Sequence, residues 1–109
     1  LLPVMLDHVN NNRLKLEQLI NLICENPVKI FGIKNKGYLK ENYDADITIV
    51  DLNKSIKIKN EDIQSKCGWS PFHGYSFKGS PIATIINGKI KMLNGKIIGQ
   101  PEGQPLNFN

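Results

Sequence analysis

Residues 25–52 read ENPVKIFGIKNKGYLKENYDADITIVDL, and the change of pattern inside this stretch decides the fold. Upstream of it the apolar residues recur at helical spacing. Leu2, Met5, Leu6 and Val9 fall at i, i+3, i+4 and i+7, and Leu16, Leu19, Ile20 and Ile23 repeat the arrangement. Asn10-Asn11-Asn12 separates the two runs, because Asn favours turns and caps over helix interiors. The second helix is expected to end by Asn26, since the residue before Pro27 is disfavoured in the α region. Pro27 then begins a short helix capped by Asn26, and Gly32 terminates it in the left-handed conformation.

Residues 34–44 are expected to form a loop, with Gly37 at positive φ. Ala45 to Leu52 alternates as a strand. Ala45, Ile47 and Ile49 share one face, Thr48, Val50 and Leu52 the other. Two largely apolar faces predict an interior strand covered on both sides. Ser55 to Lys59 reads as a second, shorter strand. Residues 60–79 are expected to be irregular. Asn87-Gly88, between the apolar runs Ile82–Ile86 and Lys89–Leu93, is a strong hairpin signal, and Asn94-Gly95 repeats it to extend a meander. The last residues, 99–109, are rich in Pro, Gly and Asn and are expected to lie extended over the surface. The chain thus reads as an α+β unit, helical first and β afterwards.

Bulk properties narrow the function classes. At 109 residues the chain is long enough for one core and too short for two. Mean hydropathy of -0.27 suits a soluble globular protein, and no apolar run approaches the ~18–20 residues that cross a bilayer. The opening Leu1-Leu2-Pro3-Val4 has no charged n-region, which does not fit a signal peptide. A chain without an initiator Met that opens on a helical pattern is expected to be a piece of something longer. Net charge of +4 and pI ≈ 9.1 raise nucleic-acid binding. The lysines alternate with Ile and Asn as on solvated strand faces, however, and Arg13 is the single Arg, the usual base reader. Cys24 and Cys67 have neither a CxxC spacing nor a neighbouring His at ligand distance. Two unpaired thiols fit a reducing cytoplasm. Asn53-Lys54-Ser55 matches a glycosylation sequon, which without a secretory signal reads as chance.

Candidate chemistry is sparse. His8 follows Asp7 on the first helix and His73 stands between Phe72 and Gly74; neither has a partner at catalytic or ligand spacing, so both read as structural. Asp44 and Asp46 flank Ala45 on one face of the strand start, where paired acids bond nearby amides. Trp69, Phe72, Tyr75 and Phe77 lie among glycines and a proline. They could stack on a base or sugar, but the reading preferred here is an apolar plug at one end of a small β-layer.

A resemblance adds to this. Glu25-Asn26-Pro27-Val28-Lys29-Ile30-Phe31-Gly32, with Lys36-Gly37 and Tyr43-Asp44-Ala45-Asp46-Ile47-Thr48-Ile49-Val50-Asp51, closely resembles the end of cyclic amidohydrolases. There a helix ending in an ENPA-type motif closes a (β/α)8 barrel, and a GxDADxxxxD segment enters a small β-sandwich. Ser65-Lys66-Cys67-Gly68-Trp69-Ser70-Pro71-Phe72, Gly74, Gly79, the strand and turn of Ile82–Lys89 and the tail from Gly99 to Phe108 look like the class I dihydroorotases. Hydantoinases and allantoinases share the junction and fit the CGWSPF segment less well. Lys15 stands where many relatives carry a Ser or Thr cap, and Asn42-Tyr43 replaces a Gly-type loop residue.

The resemblance implies that residues 1–33 are the last barrel helices and residues 34–109 part of the non-catalytic β-sandwich. It implies a parent enzyme of pyrimidine synthesis that interconverts dihydroorotate and N-carbamoyl-aspartate. Such enzymes use zinc, held by an HxH pair, further histidines, an Asp and often a carboxylated lysine; the metal polarises the amide carbonyl and activates a hydroxide. None of those motifs occurs in the chain, so no catalytic, substrate-binding or metal residue is assigned in it. The implied partners are the rest of the barrel and N-terminal β-strands, with an open sheet edge that could support a homodimer. Two other classes stay open: a stand-alone β-rich interaction module without enzymatic role, and a nucleic-acid binder using the basic strands.

Overall fold

The computed structural model describes all of residues 1–109. Helix α1, Leu2–Asn10, lies against an antiparallel four-stranded sheet of order β1-β2-β3-β4. The strands are β1 Ile47–Lys57, β2 Ser76–Ile86, β3 Lys89–Leu93 and β4 Lys96–Ile97. Leu6 on α1, Leu19 on the next helix and Ala83 on β2 are the buried apolar residues. Removing each leucine side chain from water contributes about 1.5–3 kcal/mol.

The second helical run differs from expectation. Helix α2, Leu16–Ile20, passes through a π-helical turn, Asn21–Glu25, directly into α3, Asn26–Phe31. Asn26 is helical at φ -64, ψ -43 and caps nothing with its side chain. Its backbone N–H donates to the Asn21 carbonyl, five residues back, so the turn is widened just before the residue that has no N–H to give. A π-turn at this position lets the helix run through Pro27 instead of stopping at it. Gly32 ends α3 at φ 62, ψ 37, as expected. At the start of α2 the Gln18 side chain accepts the Lys15 N–H at 3.0 Å, the role that remains when the cap position is Lys.

The sheet also differs from expectation in three respects. Within this chain β1 is an edge strand, not an interior one, and Ile49 on it is 44% exposed. The two predicted strands, 45–52 and 55–59, are one strand with a register irregularity between Asp51 and Ser55. And β2 begins at Ser76, earlier than its Gly79 and Pro81 suggest. Pro81 sits beside a second register shift, between Ile49 and Val50, where a missing N–H is tolerated.

Helix α1 explains how the first irregularity is held. Asn10 Nδ2 donates to the carbonyls of Leu52 (2.9 Å), Lys78 (2.7 Å) and its own helix residue Leu6 (3.2 Å). Asp7 Oδ1 accepts the Lys78 N–H at 2.8 Å. Two side chains one turn apart therefore satisfy backbone groups that the interrupted ladder leaves without strand partners. Both Asn-Gly turns form as expected, with positive φ at Asn87, Gly88, Asn94 and Gly95. The tail runs along the surface and is tied down. Phe108 bridges to Ile33, and the Lys34 N–H donates to the Asn107 carbonyl at 2.8 Å.

Candidate functional site

The most elaborate polar constellation lies at the junction between helices and sheet. The loop after α3 turns through Asn35 (φ 57), Gly37 (φ 85) and Asn42 (φ 66). Asn42 takes the left-handed position that a Gly would otherwise fill, which Asn tolerates better than other side chains. These turns bring Lys36 back over the start of β1, where its ammonium pairs with Asp44 at 3.0 Å and also with Asp46. Asp46 Oδ1 in turn accepts the Asn87 N–H at 2.9 Å, at the tip of the β2–β3 hairpin. The Gly88 N–H donates to the Ala45 carbonyl at 3.0 Å beside it. Lys36, Asp44, Asp46 and Asn87, together with tail residues 103–107, line an open cleft of about 390 Å³.

The electrostatics are those of a clasp. The bond from Lys36, and after it the Asn87 N–H, hold the Asp46 carboxyl below the ordinary carboxylate range. Lys36 is pushed above the ordinary ammonium range, foremost by its bond to Asp46. An ionised carboxylate whose acceptors are already engaged is not available as a general base. Asp46 bonds a nearby amide at the strand start, as expected, whereas the Asp44 carboxylate meets the Lys36 ammonium instead of an amide. Lys36 is the member the sequence did not single out.

This lock is testable through pH. Because the folded value of Asp46 is depressed, its contribution is present above the ordinary carboxylate range and is lost as pH falls through that depressed value. Asp46→Asn is expected to cost about 1–2 kcal/mol near neutrality, the scale of a charge-assisted hydrogen bond plus a partly exposed ion pair. Urea midpoints of the parent protein and the variant should converge in acid. A gap that stays constant into acid would mean that the charge is not what the clasp uses.

The other candidates are dispersed. His8 Nδ1 lies 3.4 Å from Arg13 Nη1, and His73 Nδ1 accepts the Asn60 N–H at 3.0 Å, so each ring serves a local contact. Cys24 is half-buried, and burial, with Glu25 beside it, raises its thiol. Cys67 is exposed, and its thiol is lowered by hydrogen bonding, first from Ser65. No group of three or more His, Cys, Asp or Glu residues comes together in a way that could hold a metal ion. The residues present therefore do not fit a zinc site.

Phe72, Tyr75 and Phe77 do gather at the end of β1 and β2, with ring centroids 5.7–6.3 Å apart. They are less buried than a plug requires: Tyr75 is 61% exposed, and Trp69, at 60%, stands outside the cluster. Further apolar side chains face solvent along the helices, among them Leu22, Ile30 and Phe31, and on the sheet, among them Ile90, Leu93 and Ile97. So much uncovered apolar surface marks an interaction face. No helix is long and apolar enough to cross a membrane.

Comparison with known proteins places these features. Residues 2–91 match the Amidohydrolase family. The dihydroorotase of Pyrococcus furiosus is 42% identical over 94% of this chain and 24% of its own length. The L-hydantoinase of Paenarthrobacter aurescens is 38% identical over 89% of this chain and 22% of its own. Among solved structures, an L-hydantoinase (dihydropyrimidinase) from Arthrobacter aurescens superposes with a TM-score of 0.86 at 37% identity, covering 91% of this chain and 22% of that one. The chain spans about a quarter of the length of the relatives it matches.

Proposed function

The chain belongs to the amidohydrolase family, and on that premise we propose that it is the C-terminal part of a cytoplasmic, zinc-dependent dihydroorotase of pyrimidine synthesis. In this reading residues 1–33 are the last barrel helices and residues 34–109 part of the non-catalytic β-sandwich. The parent adds water across the ring amide of dihydroorotate, and in the reverse direction closes N-carbamoyl-aspartate. The observation that carries the reading is 42% identity to a dihydroorotase across 94% of the chain. The uncovered apolar faces of helices and sheet agree with it, because the remainder of an amidohydrolase domain would supply their cover.

The chain's own contribution is structural. Its carboxylates at the junction are occupied by Lys36 and a backbone N–H, and its histidines serve local contacts. Metal and substrate are then held by the rest of the parent. A hydantoinase-type parent is the second reading, favoured by the superposition at TM-score 0.86.

One assay separates these readings. The parent protein, purified with zinc, is expected to open dihydroorotate and to leave hydantoins essentially untouched. The reverse preference would establish the second reading. The 109-residue chain alone, with zinc added, is expected to turn over neither ring. Zinc-dependent turnover by the isolated chain would overturn the assignment of the chemistry to the rest of the parent.

A further inference from the structure

Two Asn-Gly pairs turn the sheet, and their backbones are held differently. Asn-Gly is the pair most open to succinimide formation, because Gly carries no Cβ to shield its own nitrogen. In that reaction the Gly nitrogen attacks the carboxamide carbon of Asn. A new bond between that carbon and the Gly nitrogen closes the ring. The bond from the same carbon to the amide nitrogen of Asn breaks, and ammonia leaves with the proton lost from the Gly nitrogen. Water then opens the ring to Asp or, through the other carbonyl, to isoaspartate. The attacking nitrogen must shed its proton, and the turn must loosen enough to let it approach.

At Asn87 both requirements are opposed. The Gly88 N–H, the would-be nucleophile, donates to the Ala45 carbonyl at 3.0 Å. The Asn87 N–H is held by Asp46 at 2.9 Å, which ties the tip of the hairpin to the junction. At Asn94 the own N–H is bonded to the Ile82 carbonyl at 2.8 Å, but the nucleophile is not comparably held. The Gly95 N–H meets only the Met92 thioether sulfur at 3.4 Å, a weak acceptor. The turn it belongs to closes on β4, a strand of two residues, Lys96–Ile97. Both Asn residues are exposed, so solvent access does not separate them.

We infer that Asn94 is a site of spontaneous deamidation and isoaspartate formation in the folded protein, and that Asn87 is protected by its clasp to β1. The product adds a negative charge beside Lys96. In its iso form it also inserts a backbone carbon into a two-residue turn, which that turn geometry does not accommodate.

The test is ageing of the purified full-length protein in mildly alkaline buffer, followed by peptide mapping of the two turn peptides. Fragmentation that distinguishes isoaspartate from aspartate reads the product. Conversion at Asn94 is expected to be roughly tenfold or more faster than at Asn87, the scale set by holding one extra strong hydrogen bond. In denaturing urea the two rates should become similar, because only the fold separates them. Equal rates in the folded protein, faster conversion at Asn87, no conversion at Asn94, or a preference that persists unchanged in urea would each overturn the inference.

Discussion

Gly79→Ala is expected to unfold the isolated protein, or to leave it so close to its midpoint that no folded baseline survives in low urea. An added Cβ would lie 2.5 Å from the Leu6 Cβ and 3.3 Å from Asn10 Nδ2. The first belongs to the most buried side chain of α1, and the second is the donor that bridges Leu52 and Lys78. No rotamer change relieves the clash, because a Cβ does not move with χ1. The glycine also sits at φ +111, a conformation that a side chain resists. Overpacking costs about 1–3 kcal/mol and the backbone about 1–2 more, and displacement of Asn10 adds to both. A protein of 109 residues with only five buried starts near the low end of native stability, so a loss of about 3–5 kcal/mol is decisive. Gly74→Ala is the control. It shares the positive φ, at +86, but nothing lies within 4 Å of its Cβ position. The two urea midpoints should differ widely. If they coincide, the close approach of α1 to β2 is not what Gly79 provides.

Which parts of this architecture were legible in the sequence follows the range of the interactions. The Asn-Gly turns, the Gly32 stop and the Gly37 bend depend on two or three residues each, and all appear where the residues put them. The resemblance at the junction was legible too, through residues 25–51, and the family match supports it. Pro27 misled because a proline reads as a breaker. The π-turn before it depends on how the Asn26 N–H is redirected, which no residue type announces. The long β2 was missed for a related reason. Gly79 and Pro81 weaken a strand in isolation, whereas here one admits a helix and the other borders a bulge. Within the candidate site, Asp44 and Asp46 were visible as a pair, but Lys36 looked like any solvated lysine. Its role depends on three left-handed residues that fold the loop back. Asn10 was likewise indistinguishable from Asn11 and Asn12, since only the bulged ladder beneath it gives its side chain a task.

At the junction itself Gly37→Ala is the second large effect expected, and it differs in kind from the first. Its Cβ would stand 2.5 Å from Val28 Cγ2, 3.2 Å from Val28 Cβ and 2.8 Å from the Cys24 carbonyl oxygen. Val28 is β-branched and on a helix, so its methyl has little rotational escape. The carbonyl belongs to the π-turn, whose backbone would have to shift as a unit. With φ at +85 the substitution is again strained before any contact is counted. The sum is on the order of 3 kcal/mol, and it falls on the loop that delivers Lys36 to Asp44 and Asp46. A double-mutant cycle with Val28→Ala divides the cost. Removing the methyl groups should restore only part of the lost stability, because the carbonyl contact and the backbone strain remain. Full restoration would show that the helix backbone is not pressed against the loop. A cost below about 1 kcal/mol for Gly37→Ala alone would show that the loop does not close on the helix at all, since backbone strain by itself accounts for that much. In either case Lys36 would lack the support that the clasp requires, and the pH-dependent penalty of the Asp46→Asn variant should then shrink to what the Asn87 N–H alone provides.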